Sequence, residues 1–105
     1  MAAYFLVDVL AIKDAAKMDE YRARVALVVE KFGGHYVVIG GPFQVVEGSY
    51  QPTFPVMIEF PSMEQARRWY DSEEYRQLKD LRLTSTLSNA FFMEGPSSSR
   101  EAARK

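Results

Sequence analysis

The residues in this sequence that could do chemistry are few. His35 is the single histidine, and cysteine is absent. Disulfides, Cys-zinc sites, thiolate catalysis and thiol redox switching are thereby excluded. One histidine cannot build a multi-His metal centre, and no carboxylate spacing points to a mixed one, so no metal is expected. Gly40-Gly41 is not a phosphate loop, since it opens no helix and lacks both G-x-G-x-x-G and G-K-[ST]. Ser85 and Ser88 stand in no nucleophile-elbow context. Nothing in this inventory calls for a cofactor.

What remains is a set of polar residues set among apolar ones. Asp8 and Glu59 interrupt strand-like runs, and a carboxylate so placed is a candidate general acid or base. His35 is a further candidate base or a haem ligand. It directly follows Gly33-Gly34, however, where a partly exposed structural histidine fits equally well. Arg82 and Asn89 are candidates to hold an anionic or carbonyl group. Trp69 and Tyr70, with Tyr75 close behind, are candidate walls of an aromatic pocket. At helical spacing the same rings also suit a core or an interface.

These residues must be positioned by elements in the order β-α-β-β-α-β. Residues 4–12 are rich in aromatic and β-branched types and read as a strand. Asp14 is placed to cap a helix on which Met18, Tyr21, Val25, Val28 and Phe32 form one stripe. Gly33-Gly34 ends that helix. Residues 35–39 form a second strand, Gly40-Gly41-Pro42 bends or bulges it, and extended chain resumes over 43–47. A loop leads to a third strand over 56–60. Ser62 and Gln65 have the spacing of a capping box for a helix reaching about Tyr70. Asp71-Ser72 breaks it, and Ser72 caps a further turn through Tyr75 and Leu78. Residues 87–94 form the fourth strand.

This order predicts an α+β, ferredoxin-like fold, an antiparallel sheet with its helices on one face. A single domain over residues 1–95 is expected, followed by a polar, flexible tail over 96–105. Alternation along the strands puts Phe5, Val7, Val9, Val56, Ile58, Phe60, Ala90 and Phe92 toward the helices. The second face then carries Tyr4, Leu6, Asp8, Met57, Glu59, Asn89, Phe91 and Met93. With the first and third strands as neighbours, Asp8 and Glu59 are expected close together. Two adjacent carboxylates raise one another's pKa unless a cation compensates, and Arg82 is the first nominee, His35 the second. The bland alternative is a solvated sheet edge or a structural ion pair. A face this apolar argues for burial against a second copy.

Composition narrows the partners. The chain has 105 residues and a net charge of -1, so there is no basic excess to neutralise phosphates, and nucleic acid is not an expected partner. No apolar run approaches the roughly 20 residues that span a membrane, and the start of the chain has no basic region of a signal peptide. A cytoplasmic location fits the absence of cysteine.

Particular residues also carry a family likeness. Ile58-Glu59-Phe60-Pro61-Ser62, then Ala66, Trp69-Tyr70-Asp71-Ser72 and Glu74-Tyr75, form its strongest part. Glu20-Tyr21, Gly33-Gly34, Gly40-Gly41, Glu47-Gly48, Leu81-Arg82, Ser88-Asn89 and Glu94-Gly95 support it. Over residues 3–95 the chain resembles the domain-of-unknown-function family 1330, in the dimeric α+β barrel superfamily. The resemblance implies a homodimer whose two sheets face one another, and it implies no established activity.

Two functions compete. One is an enzyme or binder for a small carbonyl or aromatic compound, cofactor-independent, in a pocket at the sheet face. Asp8 or Glu59 would be the acid/base, Arg82 and Asn89 would hold the ligand, and Trp69 and Tyr70 would form walls. The other is a non-catalytic dimer that binds a metabolite or assists assembly.

Overall fold

The computed structural model describes residues 1–96. The elements are β1 (Ala2–Ile12), α1 (Ala15–Lys31), β2 (His35–Ile39), β3 (Pro55–Phe60), α2 (Met63–Tyr70), α3 (Glu73–Ser85) and β4 (Thr86–Gly95). The strands form one sheet in the order β2-β3-β1-β4, with every neighbouring pair antiparallel. This is the ferredoxin-like α+β arrangement with its second helix in two pieces. The expected tail lies outside the described residues from 97 onward. No helix among the described residues is long and apolar enough to cross a membrane.

Local chemistry sets the helix boundaries. The Asp14 carboxylate accepts from the Lys17 N–H at 3.1 Å and starts α1. Ser62 accepts from the Gln65 N–H at 3.1 Å and starts α2. The Gln65 side chain does not close the expected capping box. Its Nε2 donates instead to the Phe32 carbonyl at 3.1 Å, tying α2 to the end of α1. Ser72 donates to the Trp69 carbonyl at 2.8 Å and accepts from the Tyr75 N–H at 3.1 Å, ending one helix and capping the next. The predicted single turn after Ser72 is in fact a helix of 13 residues. Tyr75, Leu78, Arg82 and Ser85 make its buried stripe, and Leu78 and Tyr75 in the core repay the weak intrinsic preference of its threonine-bearing end.

Two expectations about β2 change. The register shift falls between Tyr36 and Val38 rather than at the glycines. Residues 43–47 join no sheet among the described residues. Gly40 and Gly41 both have positive φ, 59° and 87°, which turns the chain away from the β3 edge.

All helices lie on one side. Phe5, Val7, Val9, Ile58 and Phe60 face them and are buried, as alternation predicts. The opposite face keeps Phe91 and Met93 of β4 exposed at 53% and 52%, and a row of Leu6 and Met57 joins Phe91 to Val38 of β2 at the far edge. A contiguous apolar surface of this kind marks an interaction face.

Candidate functional site

The helix side of the sheet is not filled evenly. Over β1 and the end of β3, α2 supplies Trp69, whose ring sits 5.1 Å from Phe5, 5.2 Å from Phe60 and 4.3 Å from Tyr75 between centroids. Over β2 and β3, α1 offers Val25 and Ala26, too short to reach across. A cavity of about 280 Å³ remains there, bounded by Val7, Val9, Ile58 and Val56 below and Met18, Tyr21 and Val25 above. Tyr36, Ile39 and Phe54 close one side, Arg22 stands at its rim, and Arg82 of α3 closes its inner end. A dry cavity of about 150 Å³ admits one benzene ring, so this one suits one or two rings.

The polar groups at the inner end are unusual. Arg82 is 2% exposed, and its Nη2 has no hydrogen-bond partner. Its Nε donates to the Tyr75 hydroxyl at 3.4 Å, and its Cζ lies 5.9 Å from the Phe5 ring centroid. The Tyr75 and Tyr21 hydroxyls are 3.0 Å apart. Among the described residues no carboxylate pairs with Arg82. Burial by itself lowers the pKa of Arg82, but the Tyr75 and Tyr21 oxygens outweigh it and leave the guanidinium firmly charged. Burial, reinforced by Tyr75, pushes the Tyr21 hydroxyl well above its ordinary range. Burial likewise lifts Tyr36, to about 12. The cavity is therefore apolar, lined by protonated phenols, and closed by a cation with donors to spare. Such a group favours an oxyanion over any neutral occupant.

The sequence candidates divide between the two faces. Asp8 and Glu59 share the open face but are not neighbours. Tyr4 pairs with Glu59 and Asp8 with Pro55, so the carboxylates sit four register positions apart, roughly 13 Å. Arg82 compensates neither, because it lies on the helix side, beneath the sheet. The Asp8 carboxylate instead accepts from the Phe54 N–H at 2.8 Å, the Thr53 N–H at 3.0 Å and the Tyr50 hydroxyl at 3.1 Å. Glu59 lies 3.4 Å from His35 Nε2, the second cation nominated for it. Asn89 pairs with Asp8 across β1 and β4. Both border a wide hollow of about 620 Å³ on the open face, with Tyr50, Met57 and Phe91. Trp69 is fully buried and Tyr70 half-buried, and neither lines the helix-side cavity.

Sequence reasoning misses Tyr21 and Tyr36 as site residues and gives Tyr75 only as a neighbour of a pocket wall. The sequence signal for Tyr21 is a phenol on the otherwise aliphatic buried stripe of Met18, Val25 and Val29, where leucine would pack without needing a hydrogen-bond partner.

Residues 2–96 match the model of the Domain of unknown function DUF1330. The chain belongs to this family. No curated protein matches it. The DUF1330 chain is similar in structure to RPA0582, a protein of unknown function from Rhodopseudomonas palustris. That likeness has a TM-score of 0.70 at 16% identity over 91% of this chain and 83% of the other. It is similar also to SnoaB, a cofactor-independent oxygenase from Streptomyces nogalater, with a TM-score of 0.64 at 11% identity, over 92% of this chain and 95% of that one. At3g17210 from Arabidopsis thaliana aligns over 94% of this chain and 99% of its own, at 15% identity and a TM-score of 0.60. At these identities the shared property is the fold.

Proposed function

We propose that this DUF1330 protein binds a small aromatic or carbonyl compound as its oxyanion in the helix-side cavity, and acts on it without a cofactor. The observation that carries this reading is Arg82: a buried guanidinium at the end of an apolar cavity, with Nη2 unpartnered and no carboxylate to neutralise it among the described residues. A buried charge left in that state lowers stability unless a ligand completes it.

Among the described residues, no carboxylate and no histidine lines the cavity. Its work is stabilisation of an anion: Arg82 lowers the pKa of a phenol or enol that enters, and the proton leaves to solvent. An electron-rich phenolate is the kind of anion that reacts directly with dioxygen. One oxygen atom becomes a ring carbonyl, the second leaves as water with the ring and hydroxyl hydrogens, and a quinone remains. The fold shared with a cofactor-independent oxygenase supports this class by analogy. Asp8 and Glu59 have no part in the step. They lie on the opposite face, which we assign to a second copy of the chain because its apolar residues are too many for water.

Calorimetric titration with a panel of hydroxynaphthalenes and their neutral methyl ethers tests the reading. The hydroxyl compounds bind and the ethers bind at least about tenfold less well, the usual scale of a charge-assisted hydrogen bond. Arg82→Gln removes the difference. Equal binding of both series, or a difference that survives Arg82→Gln, overturns it.

A further inference from the structure

The hydroxyl protons at the inner end of the cavity have a determinable order. Tyr75 is fully buried, and its hydroxyl meets two polar groups, Arg82 Nε at 3.4 Å and the Tyr21 hydroxyl at 3.0 Å. A guanidinium only donates, so the Tyr75 oxygen accepts from it. Among the described residues, the Tyr75 proton then has one acceptor within reach, the Tyr21 oxygen. The reverse order would bury the Tyr75 proton with no acceptor at all, which native interiors rarely tolerate. Tyr21, unlike Tyr75, lines the cavity. Its oxygen is occupied by the Tyr75 proton, so its own proton is turned toward the cavity. Burial keeps that proton in place across the ordinary pH range. The guanidinium of Arg82, which also lines the cavity, is the second donor there.

We infer that Tyr75 is a positioning residue: held by Arg82, it fixes Tyr21 as a donor, and the two donors together select a head group in its deprotonated form. The selected class is a phenolate or enolate, preferred over the corresponding neutral phenol or enol, whose own proton would oppose the Tyr21 proton. The inference rests on the oxyanion reading of the cavity and adds a residue that touches no ligand. Tyr36 also lines the cavity.

A spectrophotometric titration of 2-naphthol with the full chain reads this directly, since naphthol and naphtholate absorb at different wavelengths. Bound to the wild type, the probe ionises at lower pH than when free. Tyr75→Phe and Tyr21→Phe each reduce the preference for the anion by about fivefold, the scale of one neutral hydrogen bond. The double variant loses no more than either single one, because both act through the same proton. Replacing Tyr75 by 3-fluorotyrosine, a near-isosteric and more acidic phenol, strengthens donation to Tyr21 and raises the preference. An unchanged preference in Tyr75→Phe, additive losses in the double variant, or a decrease with 3-fluorotyrosine overturns the inference while leaving the Arg82 reading intact. A wild type that binds naphthol without lowering its pKa, or does not bind it, overturns both.

Discussion

The Asp8 carboxylate, on the open face of the sheet, holds the backbone N–H of Phe54 at 2.8 Å, while the Phe54 ring walls the cavity on the helix face. One side chain thus fixes a loop on the far side of the sheet from where that loop matters. Asp8→Ala releases the Phe54 and Thr53 N–H groups and the Tyr50 hydroxyl together. The expected cost is about 2–3 kcal/mol, since the lost bonds are charge-assisted. Urea unfolding checks it. A cost below about 0.5 kcal/mol would show that the loop holds itself.

Gly40 and Gly48 both have positive φ, 59° and 80°, but different surroundings. A Cβ at Gly40 would lie 2.3 Å from the Phe54 ring, whereas one at Gly48 meets nothing within 4 Å. Gly48→Ala therefore costs only backbone strain, about 1 kcal/mol. Gly40→Ala costs at least about twice that and displaces a wall of the cavity. Thermal unfolding of the pair distinguishes them, and equal losses would remove Phe54 from the cavity wall.

Arg82 separates function from stability. A structural arginine destabilises the fold when lost, but an arginine kept for a ligand does not. Arg82→Met replaces an unneutralised buried cation with an apolar chain, so stability is expected to stay within about 1 kcal/mol of the wild type or to rise. Binding of aromatic oxyanions disappears in the same variant. A loss above about 3 kcal/mol would make Arg82 a structural group.

Alkaline pH weakens the fold through Tyr36. Burial lifts its pKa from 10.0 to about 12. Below pH 10 the hydroxyl is protonated in both folded and unfolded chains, and its share of stability is intact. Above it the unfolded chain ionises first, and stability falls until the folded hydroxyl ionises as well. The loss from this group is at most about 2 kcal/mol, because Tyr36 is only partly buried and solvent screens it. Tyr21, raised further by fuller burial, steepens the decline. Unfolding at stepped pH measures it, and constant stability between pH 9 and 12 would contradict it.

The open face is expected to pair two copies of the chain. Phe91 stands 53% exposed at its centre, among Leu6 and Met57. Phe91→Glu buries a charge in the pair and weakens dimerisation at least about tenfold. Native mass spectrometry should show a dimer for the wild type and mostly monomer for the variant. A monomeric wild type would remove the pairing.

Much of this was readable from local chemistry. Asp14, Ser62 and Ser72 announce helix starts because a cap is made with residues two or three positions away. The two faces of each strand follow from alternation alone, so the helix-facing set Phe5, Val7, Val9, Ile58 and Phe60 could be named in advance. The failures at the candidate site are questions of register and layer. Asp8 and Glu59 were assigned correctly to one face, but their separation depends on which residue of β1 faces which residue of β3. Arg82 is a helix residue whose charge hides its burial, and its place on the buried stripe of α3 is settled only when that helix packs. The Tyr21–Tyr75 contact joins positions 54 apart and forms only when α1 and α3 pack together. The sequence by itself therefore determined the elements, their order and the apolar faces, because those arise from interactions within a few residues. Only the tertiary structure decided which polar groups meet, because strand register and helix packing bring together side chains that are distant along the chain.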